Sequence, residues 1–118
     1  LKILDIKGRK LKIENFYEKI VKFDFNELCN RNLGSEDYIC ISQNSDFIFI
    51  ENLPDFNENN SDQQQRFITL IDIFYEKKIP LMITSQINLD SINSSKKMLE
   101  TFKRTISRLY ELTSINYS

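Results

Sequence analysis

The stretch DFIFIENLPDFNENNSDQQQRFITLIDIFYEKKIPLMITS, residues 46–85, decides the fold. Asp46–Glu51 runs apolar on both alternating faces, which suits a strand covered on both sides in a parallel α/β sheet. Leu53–Asn60 is polar around Pro54 and reads as a loop. Ser61 with Gln64 makes a capping-box pattern for the start of a helix. Phe67, Leu70, Ile71 and Phe74 then recur at i, i+3, i+4 and i+7, one apolar helical stripe. Lys77 and Lys78 complement the negative end of that helix, and Pro80 stands just beyond it. Leu81–Ile83 forms another short buried strand, closed by polar Thr84 and Ser85. Strand–helix–strand within one sheet implies parallel pairing through a right-handed crossover.

Working outward, Leu1–Ile6 and Lys10–Ile13 alternate apolar and polar residues around Lys7-Gly8-Arg9, a β-hairpin signal in which Gly8 takes positive φ. Phe16–Ile20 reads as a loop or a short helical turn. Phe23 and Phe25 flank Asp24, giving a short strand with both rings on one face. Asn26 caps a short helix carrying Glu27, Leu28 and Cys29. Ser35 caps the next, with Glu36 and Asp37 at its positive end and Tyr38, Ile41 and Cys40 facing inward. Asn88–Ser95 is a polar connection. Lys96–Ser114 forms the final helix, with Met98, Leu99, Phe102, Ile106, Leu109 and Leu112 on its apolar side. The whole, residues 1–118, reads as one α/β segment.

Composition narrows the function classes. The 118 residues carry 16 Lys+Arg against 17 Asp+Glu, and this balance lacks the basic surplus that non-specific nucleic-acid binding requires. No apolar run approaches the ~18 residues of a membrane span. With no histidine, histidine-based acid–base or nucleophilic chemistry is excluded within the chain. Cys29 and Cys40 form no CxxC pattern, so a zinc site is not expected and buried reduced thiols are. Two glycines leave no room for a phosphate-cradling loop. The chain opens on Leu1 without an initiating Met and without a signal peptide, and is read as a cut-out or a partial gene product.

Several short motifs stand in a fixed order. They are Gly8-Arg9, then FDFNELC (residues 23–29), then Gly34 with the Asp37-Tyr38 pair. Next comes Asp62 with Arg66-Phe67-Ile68, Leu70-Ile71-Asp72 and Tyr75. Last come Phe102, Arg104-Thr105, Ser107-Arg108-Leu109 and Glu111. In this order they resemble the ZapE-type cell-division ATPases of bacteria and their mitochondrial AFG-one-like relatives, within the AAA+ P-loop ATPases. The resemblance runs from Gly8-Arg9 to Tyr117. It departs from the family pattern at Gln65, where an arginine is usual, and at Leu112, where a methionine is.

The resemblance implies the C-terminal part of an ATPase domain, with strand–helix–strand units and a lid-type final helix. The P-loop and the magnesium-holding acids of the Walker B strand would lie outside these residues. The parent would use ATP and Mg²⁺, self-associate with other copies, and act on a protein client such as the cell-division ring. It would sit in a bacterial cytoplasm or, alternatively, the mitochondrial matrix. The isolated segment would not hydrolyse ATP. A competing reading is a free-standing or remnant protein-interaction module without catalysis.

Arg104 and Arg108 lie one turn apart on the final helix. Glu100 and Glu111 share their face, so periodicity alone describes a solvated, salt-bridged surface. The resemblance implies more: a lid-helix arginine that reaches the terminal phosphate of the nucleotide, with Arg108 first and Arg104 second. A guanidinium suits that task because it stays charged and grips phosphate bidentately. Arg66 is the third candidate, as an arginine finger in trans, against the plainer reading of an ion pair with Asp62 or Asp55. FIFIEN (residues 47–52) looks like a Walker B strand, but Asn52 stands where a second acid belongs, so a core strand is expected there.

Overall fold

The structure, a computed structural model, describes residues 1–114; the end of the motif series at Tyr117 lies outside them. Two antiparallel strands, β1 (Lys2–Ile6) and β2 (Arg9–Ile13), form the first hairpin. Its turn puts Lys7 at φ 52° and Gly8 at φ 84°, the doubly positive geometry whose twist matches paired strands. Leu4, Ile6, Leu11 and Ile13 bury one face of this hairpin in the core.

The second sheet has four strands in the order β3 (Asn15–Tyr17), β4 (Ile20–Asp24), β5 (Phe47–Leu53) and β6 (Leu81–Ser85). β3 and β4 pair antiparallel, whereas β4–β5 and β5–β6 are parallel. The loop or helical turn expected at Phe16–Ile20 is therefore a second hairpin. Its turn residues Glu18 and Lys19 take φ 48° and 68°, a conformation usually left to Gly or Asn, so the sequence carries no turn signal there.

Among the described residues four α-helices are interleaved with these strands: α1 (Phe25–Cys29) and α2 (Ser35–Gln43) between β4 and β5, α3 (Ser61–Glu76) between β5 and β6, and α4 (Leu99–Thr113) after β6. Phe25 opens α1 rather than extending β4. The cap is Asp24, not Asn26: its carboxylate accepts from the Asn26 N–H while Glu27 reaches back to the Asp24 N–H. Likewise Gly34, not Ser35, caps α2. Tyr38 and Ile41 are buried as expected, but Cys40 is only partly so.

The expected capping box of α3 does not form. Asn60 precedes the helix, and Gln64 is fully buried and turned toward the segment before α4. The predicted stripe does hold: Phe67, Leu70, Ile71 and Phe74 are all fully buried. They join Phe25, Phe56 and Phe102 in one aromatic-rich core; Phe56 packs edge-on to Phe102 with ring centroids 5.4 Å apart. On α4 the buried residues are Phe102, Thr105, Leu109 and Leu112, while Leu99, assigned to the apolar side, is exposed.

β5 corrects the expectation of a strand covered twice. Ile48 and Ile50 are sealed under the helices together with Val21, Phe23 and Leu81 of the flanking strands. The alternate residues of β4, β5 and β6 point the other way and stay partly or largely exposed. Among the described residues, helices cover only one face of this parallel sheet.

Candidate functional site

The three candidate arginines fall in two places. Arg104 and Arg108 meet α3 across the α3–α4 seam, and Arg66 lies near the other end of α3.

At the seam, both α4 arginines converge on one carboxylate. Arg108 Nη1 donates to Asp72 Oδ1 at 2.5 Å, and Arg104 Nη2 lies 3.7 Å from Asp72 Oδ2. One turn on, the Arg108 guanidinium stands 4.6 Å from the Tyr75 ring centroid, within cation–π range. The Tyr75 hydroxyl donates to Glu111 Oε2 at 2.6 Å, and Lys78 Nζ lies 3.8 Å from Glu111 Oε1. Lys78 also approaches the Tyr75 ring, at 3.4 Å from its centroid.

Helical spacing explains the convergence. Asp72 and Tyr75 are three apart on α3, and Arg104, Arg108 and Glu111 lie within two turns of α4. The residues Asp72 and Tyr75 of one motif thus touch Arg108 and Glu111 of the other. Two stretches that the sequence presents separately are the two sides of one contact. The sequence also assigned Glu100 to this face, but Glu100 pairs with Lys103 instead.

The two arginines differ in freedom. The Arg108 side chain is 27% exposed and held by Asp72 and Tyr75, whereas that of Arg104 is 56% exposed with a longer reach to Asp72. A negative ligand could engage Arg104 without dismantling the seam.

Arg66 forms neither of the expected ion pairs. Its Nη1 donates to the Cys29 carbonyl at 3.1 Å, closing the C-terminal end of α1, where carbonyls lack helical partners. Asp55 instead accepts from the backbone and side-chain amides of Asn93. At the end of β5, Glu51 lies 3.4 Å from Lys22, and Asn52 turns to φ 64° so that its amide reaches Asp24. Thr84 accepts from the Asn52 N–H and Ser85 donates to the Leu53 carbonyl. Both act as strand-end polar groups.

Three contacts were not foreseen from sequence. Asp37 is nearly sealed and takes the Arg9 guanidinium at 2.5 Å and the Gly34 N–H at 2.8 Å. This pins the hairpin tip to α2, joining Gly8-Arg9 to Gly34 and Asp37-Tyr38, another pair of motifs that prove to be one contact. Burial opposes the Asp37 charge, but Arg9 and the Gly34 N–H outweigh it and hold the carboxyl below its ordinary value. Gln64 accepts from both the N–H and the hydroxyl of Ser95 and donates to Ser94, fixing the entry to α4. Tyr38 donates to the Leu28 carbonyl at 2.7 Å. Burial pushes the Cys29 thiol far up, which removes it as a nucleophile at neutral pH.

The described residues do not form a phosphate-cradling loop of their own. Gly8 and Gly34 sit in a hairpin turn and a helix cap, and the Gly34 N–H is already taken by Asp37. Among the described residues no group of His, Cys, Asp or Glu is placed to hold a metal ion, and no helix is long and apolar enough to cross a membrane.

A mixed sheet with parallel strands joined through helices, and an arginine-bearing helix packed beside α3, make this a mixed α/β unit. The comparisons sharpen that class. The profile of the AFG1-like ATPases matches residues 1–118, and the chain belongs to that family. It is 32% identical over 97 residues to lactation elevated protein 1 homolog B of Danio rerio, covering 82% of this chain and 19% of that protein. It is 27% identical over 114 residues to the cell division protein ZapE of Escherichia coli K12, covering 97% of this chain and 30% of that one. An uncharacterized protein of Schizosaccharomyces pombe is 24% identical over 89 residues. The chain thus spans between about a fifth and a third of the length of these curated relatives. No solved structure matches.

Proposed function

We propose that residues 1–118 are the C-terminal α/β part of an ATP-hydrolysing P-loop ATPase, and that α4 presents its arginines to the bound nucleotide. The observation that carries this is the sharing of Asp72. One carboxylate faces two guanidiniums, so the pair keeps a net positive charge where a phosphate can be met. Arg108 anchors α4 to α3, and Arg104, the freer of the two, makes the contact. Arg66 closes α1 and reaches the nucleotide of a neighbouring copy only if that turn opens. ATP and Mg²⁺ are held by the P-loop part of the parent, which supplies the phosphoryl-transfer chemistry. These 118 residues alone do not turn over ATP.

The parent assembles with other copies of itself and acts on a protein client. The similarity to a cell division protein points to the bacterial cytoplasm and the division machinery, with the mitochondrial matrix as the alternative. The test is ATP turnover of the parent carrying Arg104→Ala or Arg108→Ala, read beside its melting temperature. Arg104→Ala should lower turnover at least tenfold with little change in melting, and Arg108→Ala should lower both. Unchanged turnover in both variants would refute the nucleotide role and leave the seam as a structural contact.

A further inference from the structure

The two oxygens of Asp72 serve different arginines. Oδ1 accepts from Arg108 at 2.5 Å, whereas Oδ2 faces Arg104 Nη2 at 3.7 Å. The first is a charge-assisted hydrogen bond; the second is beyond hydrogen-bond range and leaves charge attraction alone. The other acids of this helix are engaged elsewhere, Glu100 with Lys103 and Glu111 with Tyr75 and Lys78. The seam itself does not depend on Arg104. Asp72 with Arg108 and Tyr75 with Glu111 each join α3 to α4, so the Arg104 guanidinium can leave the carboxylate while the helix stays in place. An exposed pair of this length is weak and screened by salt. A phosphate, by contrast, offers several charged oxygens at once to a guanidinium fork.

We infer that Asp72 is a positioning residue that competes with nucleotide phosphate for Arg104. It holds the guanidinium across the seam until phosphate takes it, so part of the nucleotide's binding free energy goes into breaking that pair. The inference rests on the proposed ATPase reading and deepens it, by giving the contact arginine a resting counter-ion. A ligand that binds only the released form has its apparent affinity lowered by the released fraction. A pair as weak as this one sets that penalty at about two- to fivefold. Removing the carboxylate's charge should therefore tighten nucleotide binding, although it weakens a bond that holds the fold. A purely structural Asp72 would move both in the same direction.

The test measures binding of AMP-PNP, a non-hydrolysable ATP analogue, with magnesium by calorimetry of the parent, beside its melting temperature. Asp72→Asn should lower the dissociation constant about two- to fivefold while the melting temperature falls. In an Arg104→Ala background the same substitution should leave the dissociation constant unchanged. Asp72→Asn combined with Arg108→Gln keeps a neutral hydrogen bond across the seam and should show the same gain, which covers the case in which Asp72→Asn alone does not fold. A dissociation constant that stays level or rises in both of these Arg104-bearing variants would overturn the inference and leave Asp72 as a brace between helices. A gain that persists without Arg104 would also overturn it, since it would then be plain like-charge repulsion between Asp72 and phosphate. Arg104→Ala alone separates the two readings. If it weakens binding yet Asp72→Asn brings no gain, only the competition fails. If it leaves binding and turnover unchanged, the nucleotide role of Arg104 fails, and the competition with it.

Discussion

Replacing Asp37 by Ala should be among the costliest single polar substitutions in this fold. The side chain is 3% exposed and accepts from Arg9 and from the Gly34 N–H. Removing it deletes a charge-assisted bond, worth about 1.5–3 kcal/mol in general, and the N-terminal cap interaction of α2, worth about 1 kcal/mol. Arg9 is half in water and recovers part of its solvation when released, so the smaller end of the first figure applies. The expected loss is about 2–3 kcal/mol, a large share of the ~5–15 kcal/mol typical of a domain. In a chain of this size that lowers the melting temperature by about 10 °C.

The Lys7–Glu36 pair beside it is the internal control, since both side chains are mostly exposed. Glu36→Ala should leave urea denaturation unchanged within error. Equal costs for Glu36→Ala and Asp37→Ala would refute the reasoning, because burial is what separates the two pairs. The pH dependence adds a second check. The folded Asp37 carboxyl lies below its ordinary value of about 3.9, so its contribution is fully present above that pH and fades as pH falls through the folded value. Below about pH 5 the Asp37→Asn chain should therefore lose stability less steeply than the parent sequence. Asp55, lowered chiefly by its bonds to Asn93, remains in both and keeps the residual slope above zero.

The other substitutions follow the same physical scale. Gln64→Leu removes three hydrogen bonds to Ser94 and Ser95 inside the core, leaves buried Ser95 unsatisfied, and should cost about 2–4 kcal/mol by urea denaturation. A double-mutant cycle between Asp72 and Arg108 should give a coupling of about 1 kcal/mol, and the cycle between Asp72 and Arg104 distinctly less, because only the former pair is close and half-buried. Cys29 should resist iodoacetamide at pH 8 until the chain is unfolded by urea. Its raised folded pKa also predicts stability that is complete below about pH 8.5 and falls above it, since only the unfolded thiol ionises there.

Periodicity carried most of the architecture. The first hairpin, α3 and α4 follow from repeats of 2 and 3.6, because burial against a core imposes those repeats, while β5 and β6 follow from short apolar runs. The second hairpin escaped, since Glu18 and Lys19 hold left-handed backbone that their side chains do not advertise. Gln64 misled because a buried clamp and a capping box present the same Ser-x-x-Gln pattern. Its partners Ser94 and Ser95 are thirty residues away, beyond any local rule. The half-buried face of β5 was missed for a related reason. An apolar run reads the same whether helices cover both faces of the strand or, as among the described residues, one.

The arginines of α4 show where motif and mechanism part. A shared motif marks residues that must stay together, and here Asp72 with Arg108 and Tyr75 with Glu111 hold two helices in register. That geometry accounts for Arg108, Asp72, Tyr75 and Glu111 without any ligand. It does not account for Arg104, whose exposed guanidinium gains little from a carboxylate 3.7 Å away that is already engaged. An arginine that the seam does not need, on the helix the seam fixes, is the residue on which the nucleotide reading stands. Turnover of the parent should therefore depend on the charge at position 104 more than its stability does, and Arg104→Lys should restore part of what Arg104→Ala removes. A purely structural arginine at that position would show the reverse order.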